Sequence, residues 1–139
     1  MKILLDTNVL LDVFLERKPF YDSSIRVMTL VERGKIEGWI CGTTVTTIYY
    51  LIEKVLSGGE AKTHVKNLLK LFHVAPINLY VLQSAVDSKF QDFEDGVLHQ
   101  SAVSAGLDGI TTRNTKDFHH SQLPVYTPDE LLSALNTIE

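Results

Sequence analysis

Ile3-Leu4-Leu5-Asp6-Thr7-Asn8-Val9-Leu10-Leu11-Asp12 is the stretch that decides the fold. Its three opening apolar residues are too few for a helix and right for a buried strand. From Thr7 the period changes, and Val9, Leu10, Val13 and Phe14 recur at helical spacing until Pro19 closes the segment. A short, wholly apolar strand running into a helix opens a βα unit, and strands buried on both faces belong to parallel sheets. Asp6 sits at the junction, and a carboxylate directly after a buried strand is costly unless it has a purpose.

The same alternation continues along the chain. Ile25, Met28, Leu30 and Val31 predict a helix over 21–33, with Gly34 and Gly38 punctuating its end. Trp39-Ile40-Cys41 reads as a second strand, and residues 43–56 as a helix stopped by Gly58-Gly59. An amphipathic helix follows over 60–72, with Val65, Leu68, Leu69 and Phe72 inward and Lys62, Lys66 and Lys70 outward. Residues 73–77 read as a third strand or an extended connector. Asn78 caps a helix to about Ala85, and Asp92 caps another to Ala105 with Gly106 just past its end. Gly109-Ile110-Thr111-Thr112 is a fourth strand, and residues 123–126 a short edge strand. Thr127-Pro128-Asp129-Glu130 is a capping box that opens the last helix. Strands alternating with helices predict an α/β fold, a parallel sheet covered on both faces. Ligands of such sheets sit outside the carboxyl ends of the strands, so the residue after each strand is the one to inspect.

At 139 residues the chain reads as one domain, 1–139. Its 45% hydrophobic and 22% charged residues lie inside the globular range. Cys41 is the sole cysteine, which excludes an internal disulfide framework and a Cys-based zinc site. Asp6 and Asp12 interrupt the first apolar run, against a signal peptide or a membrane span, so a reduced, cytoplasmic protein is expected. Thirteen Lys and Arg stand against 17 Asp and Glu, a net charge of −4, which argues against nucleic acid held by bulk positive charge.

The acids form a pattern. Asp6 ends the first strand, and Asp92-Phe93-Glu94-Asp95 opens a helix with Asp92 at the cap and Asp95 in the first turn. The fourth strand ends near Asn114, with Asp117 about one turn on. With both strands central, Asp6, Asp95, Asn114 and Asp117 converge at one edge of the sheet. Clustered carboxylates repel unless a cation compensates them. Oxygen donors without His or Cys suit Mg²⁺ or Mn²⁺. Each acid also has a plain structural reading: Asp92 as a helix cap, Asp117 as a turn residue, Asp12 as a structural group one turn after Asn8.

At these residues the chain resembles the PIN domain family, over nearly its whole length. The strand with Asp6, the Asp92–Asp95 motif before the small residues Ser101, Ala102 and Ala105, and Ile110-Thr111-Thr112-Arg113-Asn114-Thr115-Lys116-Asp117-Phe118 carry the likeness in order. The resemblance implies a three-layer α/β/α sandwich around a central, mainly parallel sheet of four to five strands. It implies a metal-dependent endoribonuclease, the VapC-type toxin of a toxin–antitoxin pair, usually homodimeric, with RNA as substrate and an antitoxin protein as partner. Asp6, Asp95 and Asp117 are then the expected ligands of Mg²⁺ or Mn²⁺, and Asn114 completes the catalytic ring. Asp92, Asn8, Thr112 and Arg113 are expected to support the ligands or position substrate.

Two departures from the family pattern stand out. Thr47 occupies the place of an acid on the helix after the second strand, and Glu53, about 240° further around that helix, does not replace it. Asn114 stands where an Asp is often found. Both imply weaker metal binding, and a PIN-fold RNA-binding protein without catalysis is the rival reading. A phosphoryl-accepting receiver is disfavoured, because Thr7 and Asn8 stand where its second acid would follow Asp6. Lys62, Lys66 and Lys70 suit either an RNA backbone or a solvated face, and Arg113 and Lys116 are candidates to flank the scissile phosphate. Tyr49-Tyr50-Leu51-Ile52 and the helix over 9–14 are candidates for core or for a protein interface. His119-His120 reads as a solvated turn.

Overall fold

The structure, a computed structural model, describes residues 1–138. Its elements in chain order are β1 (Lys2–Leu5), α1 (Thr7–Phe14), α2 (Tyr21–Glu32), β2 (Glu37–Cys41), α3 (Gly42–Val55) and α4 (Gly58–Leu71). There follow β3 (His73–Ala75), α5 (Leu79–Asp87), α6 (Phe93–Ser104), β4 (Gly109–Thr111), a single 3₁₀ turn (Thr115–Phe118), β5 (Val125–Tyr126) and α7 (Pro128–Ile138). Five strands form one sheet in the order β3-β2-β1-β4-β5, and every pairing is parallel. The expectation of a parallel α/β sandwich therefore holds.

Alternation along the strands sends side chains to two cores. Ile3, Leu5 and Ile40 pack with α1, α2, α3, α4 and Leu131 of α7. Leu4 and Cys41 point the other way, against Val81 and Ala85 of α5 and Val97, Leu98 and Ala102 of α6. Burial of apolar surface on both faces explains why the central strands are uniformly apolar. The chain winds outward from β1 to β2 and β3, then returns through α5 and α6 to place β4 on the other side of β1. The strand order thus reverses between β1 and β4, and such a switch point opens a crevice at the carboxyl ends.

Capping residues set the helix starts as anticipated. Asn78 Oδ1 accepts from the Val81 amide at 3.0 Å, and Thr127 and Glu130 cap one another reciprocally at 3.1 and 2.8 Å. Gly106 adopts φ 71°, the left-handed conformation past the end of α6 that favours glycine. Three expectations are corrected. Gly58 and Gly59 do not stop α3 but form the first turn of α4, because Ser57 caps that helix, accepting from the Glu60 amide at 3.1 Å. Gly38 lies inside β2 rather than in a turn. Leu69 is half exposed, and only Ala61 and Leu68 of α4 are fully buried. The segments 9–14 and 49–52, read as core or interface, are mostly core: Val9, Leu10, Leu11 and Ile52 are buried, and Tyr50 alone among the 49–52 residues is a large exposed side chain. Among the described residues no helix is long and apolar enough to cross a membrane.

Gly38 is required for packing. A Cβ there would meet the Phe72 ring at 2.7 Å and Val31 Cγ1 at 2.8 Å. Gly38→Ala should therefore destabilise the protein by about 1–3 kcal/mol, read as a lower denaturant midpoint at unchanged slope. An unchanged midpoint would show that the α2–β2–Phe72 layer is looser than described.

Candidate active site

Asp6 is built into the switch point by three separate bonds. Its amide donates to Thr111 O at 2.9 Å, continuing the β1–β4 ladder by one residue. Its Oδ1 accepts from the Thr7 amide at 2.8 Å, so it also caps α1. Its Oδ2 accepts from the Thr112 hydroxyl at 2.7 Å, and that same hydroxyl accepts from the Asn114 amide at 3.1 Å. Only 8% of Asp6 is exposed. Thr112 therefore aims the Asp6 carboxylate and the loop after β4, and does not offer its hydroxyl to substrate.

The second acidic segment arrives from α6. Asp92 Oδ1 accepts from the Asp95 amide at 3.0 Å, which makes Asp92 the helix cap and sets Asp95 in the first turn. The third segment is the 3₁₀ turn after β4, where the Asp117 amide donates to Asn114 O at 3.0 Å. The result is an open cleft of about 340 Å³, lined among others by Asp6, Asn8, Glu94, Asp95, Asn114 and Asp117, with Asp92 at its edge. All the expected metal ligands face one cleft. Among the described residues they do not close into a ready-made cage of three His, Cys, Asp or Glu groups. They also have no Lys, Arg or His ion-paired with them.

Glu94 is the residue that the sequence reading missed. It adjoins Asp95 on α6, lines the cleft, and its charge bears on both Asp6 and Asp95. A Glu in the first turn of a helix reads as a partner of the helix dipole, which hid its second role. Thr47, by contrast, is not among the cleft-lining residues; the Thr44 hydroxyl instead bonds Thr7 Oγ1 at 2.9 Å and ties α3 to α1. The cleft thus has a further carboxylate on α6 and none from α3.

Two supporting assignments change. Arg113 does not face the cleft: its Nε stands 2.8 Å from Asp12 Oδ2, and its guanidinium lies over the Phe20 ring at 4.2 Å. Asp12 is fully buried, and burial raises its carboxyl above the usual range against the opposing pull of Arg113 and Arg17. Asn8 lines the cleft but accepts from the Arg113 amide at 3.4 Å, a weak tie that helps hold the loop. Lys116 remains at the site, beside Asp92, Asp95 and Asp117. Lys62, Lys66 and Lys70 are exposed on α4 and line no part of the cleft.

Crowding of like charge shows in the acidity of the group. Burial first, then Asp6, Asp92, Asp117 and Glu94, push the Asp95 carboxyl up to about 7. Asp6 is raised too, chiefly by burial, with Glu94 and Asp117 adding and the Thr112 and Thr7 hydrogen bonds opposing. An all-oxygen set of four carboxylates and an amide, uncompensated and mutually repelling, fits a hard divalent cation in charge and chemistry.

Two predictions follow from this geometry. Asp95 ionises near 3.8 when unfolded and near 7 when folded, so the cation-free protein loses stability as pH rises through that window. In EDTA, the melting temperature of Asp95→Asn relative to wild type should therefore climb between about pH 4 and 7. Saturating Mn²⁺ should narrow the difference at pH 8, and parallel pH profiles in EDTA would contradict the assignment. Arg113→Ala leaves Asp12 buried and unpaired, which should cost about 3–5 kcal/mol of folding stability. A stability loss under 1 kcal/mol would put Arg113 back among residues free to meet substrate.

Comparison with known proteins agrees with the topology and the motifs. The PIN domain profile matches residues 2–116. Ribonuclease VapC1 of Aquifex aeolicus (strain VF5) is 25% identical over 142 residues, spanning 99% of this chain and 97% of that protein. A toxin–antitoxin complex from Klebsiella pneumoniae contains a chain of the same fold, with a TM-score of 0.68 at 22% identity, covering 91% of this chain and 97% of that one. VapBC-1 from nontypeable Haemophilus influenzae gives 0.69 at 14% identity, covering 93% and 99%. With the profile covering most of the chain and the acids of its motifs gathered in one cleft, this chain belongs to the PIN domain family.

Proposed function

We propose that the protein is a divalent-cation-dependent endoribonuclease, acting as the toxin of a toxin–antitoxin pair. The observation that carries this reading is the convergence of Asp6, Glu94, Asp95 and Asp117 on one open cleft with no cationic side chain among the described residues ion-paired to them. The ribonuclease relative and the toxin–antitoxin likenesses support the same activity and an antitoxin partner.

Asp6, Asp95 and Asp117 would hold Mg²⁺ or Mn²⁺, with Glu94 as a fourth carboxylate and Asn114 offering its side-chain carbonyl. Bound there, the ion would supply Lewis-acid polarisation of the scissile phosphodiester and charge compensation for the leaving oxygen. Thr112 and the Thr7 amide fix the Asp6 carboxylate, and Asp92 fixes the turn that presents Glu94 and Asp95. Lys116, at the rim, is placed to meet an RNA phosphate beside the acids. No neutral base is needed from the described histidines: His99 is buried in α6, and His119 bonds Lys116 O at 2.8 Å. Glu94 weighs against the rival reading of an inactive RNA-binding scaffold, since it offsets the acid lost at Thr47. A homodimer is part of the same proposal, and light scattering of the purified chain measures it.

Single-stranded RNA should be cleaved internally in Mg²⁺ or Mn²⁺ and left intact in EDTA. Asp95→Asn should lower kcat by about 100-fold or more, as loss of one ligand of an essential cation does. Glu94→Gln should weaken Mn²⁺ binding by about 10- to 100-fold, whereas Thr47→Ala should leave it unchanged. RNA bound by wild type without cleavage in either cation would favour the scaffold reading. Equal cleavage by wild type and Asp95→Asn would remove the activity from this cleft.

A further inference from the structure

Apart from the acidic cleft, a trough of about 580 Å³ lies between α5, α6 and the loop after the 3₁₀ turn. Phe90 and His120 line both the trough and a saddle of about 260 Å³, and Asp92, Asp95 and Asp117 line both that saddle and the cleft. The saddle, with Lys116 and His120 in its lining, therefore lies between the acids and the trough and shares walls with both.

The trough has a chemistry of its own. Tyr80 stands on α5 with 68% of its surface exposed, on the same helix face as Ser84 and Asp87. Lys89 follows in the exposed loop, so the trough pairs one acid with one cation and lacks the cleft's excess of negative charge. His99 lines the wall, 1% exposed, its ring stacked on Phe90 at 4.8 Å between centroids. The Gln122 amide donates to His99 Nε2 at 3.0 Å, so Nε2 is the acceptor and the ring proton lies on Nδ1. Among the described residues no group accepts from Nδ1, and the atom is itself closed off from solvent, so His99 shapes the wall of the trough without presenting a donor to it.

We propose that this trough is a nucleoside subsite, seating one nucleotide of the RNA strand next to the bond cleaved at the acids. The inference rests on the ribonuclease reading and adds where the strand runs. An exposed tyrosine offers a face for a base to stack on. Ser84 and Asp87 are acceptors for a ribose 2′-hydroxyl. Lys89 meets the adjoining phosphate. The trough's volume lies in the range of small-molecule sites.

The test uses the full chain in EDTA, titrated with the four nucleoside 5′-monophosphates and followed by NMR. Saturable shifts are expected at the amides of Ser88, Lys89 and Gln122 and at the His99 ring nitrogens, with affinity about tenfold lower in Tyr80→Ala. In RNA cleavage, Tyr80→Ala and Lys89→Ala should each raise KM by about tenfold at unchanged kcat, since they touch neither the acids nor their supports. Shifts confined to residues 6–8 and 92–95, or no shifts, would overturn the subsite even with RNA cleavage intact. An equal KM in wild type and Tyr80→Ala would overturn it as well. Trough shifts in a protein that cleaves no RNA would instead sink the ribonuclease reading and leave a nucleotide-binding site standing.

Discussion

Electrostatic repulsion among carboxylates gathered on one partly desolvated cleft is the constraint around which this molecule is organised. Asp6 and Asp95 are both pushed above the ordinary carboxylate range, mainly by burial and then by acidic neighbours, Glu94 and Asp117 for Asp6, and Asp6, Asp92, Asp117 and Glu94 for Asp95. Such an arrangement persists only if the rest of the fold holds the groups in place, because each would be better solvated apart. The scaffold does so with elements that are stable for other reasons. Asp6 is tied into the β1–β4 ladder and caps α1, Asp92 caps α6, and the 3₁₀ turn is anchored by buried Phe118. The −4 net charge of the chain matches the four acids Asp6, Asp92, Asp95 and Asp117, so the remainder is balanced.

Topology delivers these groups to one place. Because β4 returns to pair beside β1, residues more than a hundred positions apart in sequence become neighbours. The Thr112–Asp6 hydrogen bond spans 106 residues and joins the first motif to the last. Asp12 and Arg113 repeat the same union one layer deeper, as a buried ion pair. Removing one partner of such a pair is far more damaging than never having had it, which makes Arg113 a tie between α1 and the loop after β4.

Much of this was legible in the residues. The change of period at Asp6, the caps at Asn78, Asp92 and Thr127, and the glycine after α6 each reflect local chemistry that acts before tertiary contacts form. The acids after β1 and β4 followed from the rule that parallel sheets bind at their carboxyl ends. What was not legible depends on contacts between distant segments. Gly38 looks like a turn residue but serves packing against Phe72, and nothing near it in sequence says so. Gly58-Gly59 looks like a break, yet the Ser57 cap outweighs the cost of two glycines in a first turn. Arg113 looks like a phosphate ligand until its partner, 101 positions earlier, is seen. Glu94 shares a motif with the obvious acids, and only the direction in which the cleft opens past the first turn of α6 sets it apart from an ordinary first-turn acid.

The account stands or falls on whether the cleft between β1 and β4 is where a divalent cation resides. Crystals grown with Mn²⁺ and measured at the manganese absorption edge decide this directly. An anomalous peak about 2.1 Å from carboxylate oxygens of Asp6, Asp95 or Asp117, with Glu94 turned toward it, is the predicted result. A peak on His119 and His120, or a cleft without manganese at saturating concentration, would contradict it.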